Sequence, residues 1–367
     1  MRIAIHNPRA SYFLGGSETT AIEFAKILSK EHEINFVTSN NQKSQNFSDF
    51  EENFPNVTIR RFKCPKHTEL SVYGKINVWD LEGLFFGEIT SDFYEKNSFD
   101  LVLVFYSADL VTLNKKNMKT SIYLQGYPKE RKILDEVGLS KADSMICCSK
   151  HVLKEMNSGF GMKLKEVYYP APDVKSFVPK ELERDIEILY LGRLTERKGA
   201  DLLVESLKLI EDNFCKCIIA GTGEIEKKVR SLIKRYNLDN KIKLIGPVEK
   251  GMAIELLNRS KIFVLPARSR EPYPNTIMEA MCMGAAVVST FVGGIPEIVK
   301  SNKEGILVEP GNVKDLSNAI NDLLLNPGKL QDISNCGKKK MNRMFNPNKK
   351  EKELLELYSR VMDEKND

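Results

Sequence analysis

The segment Arg270-Glu271-Pro272-Tyr273-Pro274-Asn275-Thr276-Ile277-Met278-Glu279 holds two carboxylates with seven residues, two of them prolines, between them. Each proline pushes the residue before it out of the α region, so Glu271 and Tyr273 are expected to be extended and a helix to begin at Pro274. Glu271 then lies in a loop and Glu279 in the second helical turn. The helix follows an apolar strand, Ile262–Leu265, and its first free amides, on Asn275 and Thr276, point above the strand's C-terminal end, where a phosphate fits. Carboxylates repel phosphate, so Glu271 and Glu279 read as acceptors for hydroxyl protons on either side of it. A nucleotide sugar has that layout, with sugar hydroxyls on one side of a diphosphate and ribose hydroxyls on the other. The motif also reads as two solvated glutamates near a helix start, where the dipole favours them.

Three further turns carry glycine or charge. Leu14-Gly15-Gly16-Ser17-Glu18 opens a helix; its glycines let backbone approach an anion, and Ser17 can cap the helix, although a Gly-Gly turn also arises for steric reasons. It is not a dinucleotide fingerprint, because a third glycine is absent and the second strand does not end in an acidic residue. Leu191-Gly192-Arg193-Leu194-Thr195-Glu196-Arg197-Lys198-Gly199 places three cations beside a helix start, a conflict that a bound diphosphate relieves and that solvent also relieves. Ala220-Gly221-Thr222-Gly223-Glu224 is a second strand-to-helix turn with paired glycines. His6, His32, His67 and His151 have no metal-ligand spacing and no Asp-x-Asp pair occurs, so no catalytic metal and no cofactor are expected. His6 ends the first strand and either reaches the site or is structural.

The elements that must position these residues alternate short apolar strands with amphipathic helices, the pattern of α/β units with parallel sheets. In the first half strands are expected at Ile3–His6, Ile34–Thr38, Val57–Phe62, Leu101–Tyr106, Ile122–Gln125, Met145–Cys148 and Val167–Tyr169. In the second half they are expected at Ile186–Leu191, Cys217–Ala220, Ile242–Ile245, Ile262–Leu265, Ala286–Ser289 and Ile306–Val308. Pro170-Ala171-Pro172-Asp173, Pro179 and the charged run Lys180–Asp185 read as a linker. The fold class is therefore two doubly wound Rossmann-like α/β domains, 1–178 and 179–348, facing a cleft lined by strand C-termini. Leu354, Leu355, Tyr358, Val361 and Met362 form one stripe, so Lys349–Met362 is expected to pack as a helix. Asn40–Asn56, rich in Asn, Gln and Ser, reads as a loop.

The formal net charge of +5 over 367 residues, with both signs interspersed, gives no indication of nucleic acid binding. Seven cysteines without Cys-x-x-Cys spacing read as reduced thiols of a cytoplasmic protein, and no apolar run approaches the roughly 18 residues that span a bilayer. Membrane contact, if made, is peripheral and on the N-terminal domain, where Arg60-Arg61-Lys63-Lys66 and Lys115-Lys116-Lys119 are basic; these clusters also read as solvated faces.

Taken together, Gly15-Gly16, Gly192-Arg193 with Lys198-Gly199, Gly221-Thr222-Gly223 and the Glu271/Glu279 pair resemble the family 4 retaining glycosyltransferases, with the two-domain glycosyltransferase-B fold, over nearly the whole chain. The resemblance implies sugar transfer from a UDP- or GDP-linked sugar to a hydroxyl of a glycan or lipid-linked acceptor, with retention and without metal. It implies that Arg193 and Lys198 bind the diphosphate, that Glu271 holds donor-sugar hydroxyls and Glu279 the ribose, and that Arg193, Lys198 and Glu271 form the catalytic set. Donor-binding positions would include Gly15, Gly16, Gly192, Gly223, Tyr273, Pro274, Asn275 and Thr276. The last helix would cross back onto the N-terminal domain. The chain departs from the family in having Pro272 and Pro274 where glycine is frequent between the glutamates. It also has Gln125, in Tyr123-Leu124-Gln125-Gly126, where many members have a histidine touching the transferred sugar. Gln125 and His6 are the candidates on that side. A non-hydrolysing sugar-nucleotide epimerase and a non-catalytic nucleotide-sugar binding protein share the architecture and stand as alternatives.

Overall fold

A computed structural model of the chain describes residues 1–363 except 14, 73, 75, 115–117, 128–131, 157–163, 172–176 and 181. Leu14, Lys115, Lys116, Pro172, Asp173 and Glu181, each named in a motif above or lying within one, fall outside the described residues. The chain forms two units, Met1–Pro170 with Pro347–Asp367, and Ala171–Asn346.

The first unit contains strands β1 (Arg2–His6), β2 (Glu33–Ser39), β3 (Val57–Phe62), β4 (Leu101–Val104), β5 (Lys119–Leu124), β6 (Ser144–Cys147) and β7 (Leu164–Val167). They pair in parallel in the order β3-β2-β1-β4-β5-β6-β7. Ile3, Ile5, Ile34, Phe36 and the whole of Leu101–Val104 are buried, as befits a parallel sheet covered on both faces. Several strand ends differ from expectation, β5 beginning at Lys119 rather than Ile122 and the second unit's strand expected from Ile262 beginning at Ser260 among them. β4 stops at Val104, because Tyr106 is already the N-cap of the helix Ser107–Thr112, and the edge strand β7 pairs through Leu164–Val167 rather than Val167–Tyr169.

The segment read as a loop, Asn40–Asn56, contains the helix Gln45–Asn53, capped by Ser44, whose side chain accepts from the Phe47 amide. Its polar composition hid two aromatics on one face: Phe47 and Phe50 are buried against Phe36, with ring centroids 5.7 and 5.5 Å away. The last helix, Pro347–Asp363, belongs to the first unit and buries Leu354, Leu357, Tyr358 and Val361. Lys119 donates to the carbonyls of Met362 at 2.7 Å and Val361 at 3.3 Å, capping this helix where its dipole is negative. Arg360 forms a two-pronged pair with Glu166 at 2.8 and 2.6 Å. Of the basic residues considered for an anionic surface, Lys119 thus serves as a helix cap, Arg61 pairs with Glu51 at 2.6 Å and Arg60 donates to Asn35 at 3.2 Å. No described helix is long and apolar enough to cross a membrane.

The second unit contains β8 (Ile186–Leu191), β9 (Cys217–Ala220), β10 (Ile242–Gly246), β11 (Ser260–Leu265), β12 (Ala286–Thr290) and β13 (Ile306–Val308), parallel, in the order β10-β9-β8-β11-β12-β13. The strand order reverses between β8 and β11, and the loops leaving the C-terminal ends of these two strands are the ones that carry Lys198 and Glu271. In open α/β sheets that switch point is where ligands bind.

Candidate active site

Close backbone packing builds the loop after β8. The Gly192 amide donates to Ala220 at 3.0 Å, Leu194 to Thr222 at 2.9 Å, and Ile225 back to Leu194 at 3.0 Å. Gly221 and Gly223 permit this approach: with φ of 141° and 157°, a Cβ on either would lie 1.9 Å from the Gly192 oxygen or 2.4 Å from the Leu194 oxygen. The loop then makes a 3-10 turn, Glu196–Lys198, and enters the helix Ala200–Lys208 through Gly199 at φ 71°. A Cβ there would strike the Pro266 carbonyl at 2.1 Å, so glycine lets the loop after β8 lie on the loop after β11.

The two loops are fastened at four points. Arg268 donates its amide to the Arg197 carbonyl at 2.8 Å and its guanidinium to the Glu196 carbonyl at 2.8 Å. The same guanidinium holds both oxygens of the fully buried Asp201, at 2.7 and 2.8 Å. Arg197 donates to the Arg270 carbonyl at 2.7 Å. Asp201 also pairs with Lys228 at 2.6 Å, and although burial raises its pKa, the Arg268 and Lys228 hydrogen bonds bring it below the usual carboxylate range.

Glu271 is 3 % exposed, its carbonyl accepting from Gly294 at 2.9 Å. Its Oε1 lies 2.7 Å from Arg197 Nη1 and 3.5 Å from Lys198 Nζ. Burial pushes the Lys198 amine below the usual lysine pKa, and the neighbouring Arg197 and Arg193 add to this while Glu271 opposes it. Arg193 is exposed, and Gly192 lies beneath Lys198, with a built Cβ 3.9 Å from Nζ. The helix expected at Pro274 runs over Asn275–Cys282 with Pro274 as its N-cap and Glu279, half-buried, in its second turn. The Ile277 amide is bonded to the Pro274 carbonyl at 3.2 Å. Tyr273 and Pro274 are buried.

Thr195 Oγ1, Glu271 Oε1, Asn275 Oδ1 and Thr276 Oγ1 are buried side-chain oxygens without a well-directed hydrogen bond among the described residues, and all four belong to the two loops or the helix start beside Lys198. Buried polar atoms are nearly always satisfied, so such a group marks where a polar ligand completes the structure. Hydroxyl and amide donors would complete the oxygens, and the lysine and arginines would meet an anion. Among the described residues no group of three or more His, Cys, Asp or Glu is placed to hold a metal.

In the first unit, Gly15 is the N-cap of the helix Gly16–Leu28 and Ser17 lies inside it, so Ser17 is not the cap. Glu18, buried at the third helical position, takes a hydrogen bond from Tyr106 and from its own amide; burial nevertheless raises its pKa. Gln125, after β5, donates through Nε2 to Thr20 at 2.7 Å. Its Oε1 is a buried acceptor without a hydrogen bond among the described residues, and a Cβ built on Gly16 would lie 3.4 Å from it. Gly16 and Gln125 are therefore neighbours. His6 is not part of that group. It is fully buried, 3.1 Å from the Tyr94 hydroxyl and 3.5 Å from Asp109, with its ring against Phe86, and burial pushes its pKa down to about 3. The structure makes it a neutral core residue. The residues that sequence reasoning leaves out are Arg268 and Asp201, which sit outside every motif, while Arg197, one of the three cations beside the helix start, turns toward the loop after β11.

Residues 173–340, nearly all of the second unit, match the model of the family described as Glycosyl transferases group 1. Over those residues the chain is similar to that family. It is 28% identical over 189 residues to the uncharacterized glycosyltransferase MJ1178 of Methanocaldococcus jannaschii, covering 50% of each chain. It is 27% identical over 187 residues to the amylovoran biosynthesis glycosyltransferase AmsK of Erwinia amylovora, covering 49% of this chain and 46% of that one. The chain thus spans about half the length of these curated relatives. Among solved structures, it resembles sucrose-phosphate synthase from Thermosynechococcus elongatus with a TM-score of 0.80 at 17% identity, covering 98% of each chain. It resembles Anabaena HepE in complex with UDP with a TM-score of 0.78 at 18% identity, covering 98% of this chain and 100% of that one. The chain therefore has the glycosyltransferase-B fold, two parallel-sheet α/β domains.

Proposed function

We propose that this chain is a retaining glycosyltransferase that moves a sugar from a UDP- or GDP-linked donor to a hydroxyl of a glycan or lipid-linked acceptor, in surface polysaccharide or glycoconjugate synthesis. The observation that carries this reading is the set of buried oxygens of Thr195, Glu271, Asn275 and Thr276 that lack a well-directed hydrogen bond among the described residues, on the loops after β8 and β11 that bring Lys198 to 3.5 Å from Glu271, at the switch point of the second sheet. The match of residues 173–340 to the group 1 glycosyltransferase model supports the reaction type. AmsK is named for amylovoran biosynthesis and HepE was crystallised with UDP and with UDP-glucose, which supports the acceptor and donor classes.

In this reading Lys198 and Arg193 take the diphosphate, with the amides of Asn275 and Thr276 completing its coordination at the helix start. Glu271 accepts hydroxyl protons of the donor sugar and Glu279 those of the ribose. Tyr273 and Pro274 shape the turn between them. Gly15, Gly16 and Gln125 serve the transferred sugar and acceptor. The acceptor oxygen bonds to the anomeric carbon on the face from which the diphosphate departs, and the acceptor's proton passes to a departing phosphate oxygen. No protein base is then required, which suits Gln125, since an amide cannot shuttle a proton. The cations placed against the diphosphate stabilise the charge that develops there, and the proposal invokes no metal.

A thermal-shift screen with UDP, GDP and their sugar conjugates, on wild type and Glu279→Ala, tests the donor site. Stabilisation by one nucleotide series that is lost in the variant supports it. Absence of any shift counts against it, and donor turnover without acceptor would favour an epimerase.

A further inference from the structure

Glu271 carries the donor-sugar role only if its carboxylate stays where the sugar needs it, and the backbone leading to it is not relaxed. Arg270, the preceding residue, has φ 49°, in the left-handed region that non-glycine residues rarely occupy. Such a residue persists where surrounding bonds over-determine it. Here the bonds come from one side chain and one loop. Arg197 Nη1 donates to the Arg270 carbonyl at 2.7 Å, and the Arg197 carbonyl accepts from Arg268 at 2.8 Å, so Arg197 grips the segment 268–270 at both ends.

Arg197 also stands 2.7 Å from Glu271 Oε1, yet that oxygen makes no well-directed hydrogen bond among the described residues. One Nη1 proton is spent on the Arg270 carbonyl, and the second is not aligned with the carboxylate oxygen. The guanidinium therefore attracts the carboxylate without filling its lone pairs, which stay open for a ligand hydroxyl. Lys198, at 3.5 Å from the same oxygen, stands at the limit of hydrogen-bond reach. Arg197 itself is anchored from behind, because Arg268, which receives it, is locked by two bonds to the buried Asp201.

We propose that Arg197 is a positioning residue of the donor-sugar subsite, fixing Glu271 Oε1 through the Arg270 backbone and through its own charge, and not a further cation for the diphosphate. The proposal rests on the nucleotide-sugar reading above. It separates Arg197 from Arg193 and Lys198 by ligand part: loss of Arg197 damages recognition of the sugar, whereas loss of the other two damages recognition of the diphosphate.

The test is isothermal titration of wild type, Arg197→Met and Arg197→Lys with UDP and GDP and with their hexose conjugates, after thermal melts of each protein. Because Arg197 is partly exposed, with 31% of its side-chain surface accessible, the variants should fold. The expected result is a rise of about tenfold or more in the ratio of conjugate to bare-diphosphate dissociation constants for Arg197→Met, the size of losing one well-placed bond to a charged group. Bare-diphosphate binding should change little. Arg197→Lys keeps the charge but lacks the fork that serves carbonyl and carboxylate together, so it should recover the ratio only in part. If Arg197→Met does not fold, the Arg197→Lys ratio decides. An equal loss for both ligands would make Arg197 a diphosphate cation and overturn the proposal, as would no loss for either. A wild type that binds none of the ligands would refute the donor reading itself, a failure seen before any variant is compared.

Discussion

Replacing Lys198 by alanine should cost the protein its turnover and almost none of its stability. At 3.5 Å and an effective dielectric near 20, the attraction between Lys198 and Glu271 is about 5 kcal/mol before desolvation. Burial and the nearby Arg197 and Arg193 work against the ammonium, and their sum exceeds that attraction, since the lysine pKa is displaced downward. Removing the amine relieves this cost, and Glu271 keeps Arg197 at 2.7 Å. Stability should therefore change by no more than about 1 kcal/mol. Loss of a charge-assisted contact to a leaving diphosphate should lower turnover by roughly 10²–10³-fold, as for a lost oxyanion donor. Urea unfolding and initial rates of nucleoside diphosphate release, on the same preparations, separate the two effects. The sign of the pH dependence follows from the same displacement. In the free protein Lys198 loses its proton at lower pH than an ordinary lysine, so kcat/KM should fall on the alkaline side, and Lys198→Arg, whose cation does not titrate there, should flatten that limb. Turnover of Lys198→Ala within about threefold of wild type, with unchanged stability, would refute the reasoning.

Asp201→Asn should destabilise the protein by about 1.5–3 kcal/mol at neutral pH, because it turns one of the two oxygens that Arg268 holds into an amide donor and removes the charge that Arg268 and Lys228 pair with. Since the Asp201 pKa is depressed in the folded state, its contribution is present above the unfolded value near 4 and is lost as pH falls through the folded one. Melting curves of variant and wild type should accordingly converge in acid; a gap that widened there would contradict the assignment. Gly199→Ala forces a methyl onto the Pro266 carbonyl at an unfavourable φ, so a loss of at least about 1–3 kcal/mol is expected together with a weakened response to nucleotide in thermal shift. Leu354→Ala should cost about 2–5 kcal/mol by urea unfolding, because Leu354 is fully buried in the first unit; a loss below that range would mean the final helix is only loosely attached.

Sequence patterning located the strands because parallel strands buried on both faces leave continuous apolar runs such as Leu101–Val104 and Ile186–Leu191. It failed where polar residues outnumber the few that matter, as in Gln45–Asn53, whose place in the core depends on Phe47 and Phe50 alone. The candidate site was legible where backbone chemistry is local: the prolines around Tyr273 fix the helix start to within one residue. It was illegible where partners are distant in the chain. Nothing near Arg268 in sequence announces a pairing with Asp201, 67 residues away, and nothing in the Ile3–His6 strand tells whether His6 faces a ligand or Phe86 and Tyr94. Periodicity reports which face of an element is covered and is silent on what covers it.

The chain leaves the first unit at Pro170 and supplies that unit's last helix only from Pro347 onward. During synthesis, every residue of the second unit is made before the helix that covers Phe24 and receives Lys119. The first unit therefore keeps an apolar face open until the residues from Pro347 onward are available, whereas the second unit has no such wait. A chain interrupted before Pro347 would leave Phe24 uncovered in a unit whose sheet was made long before.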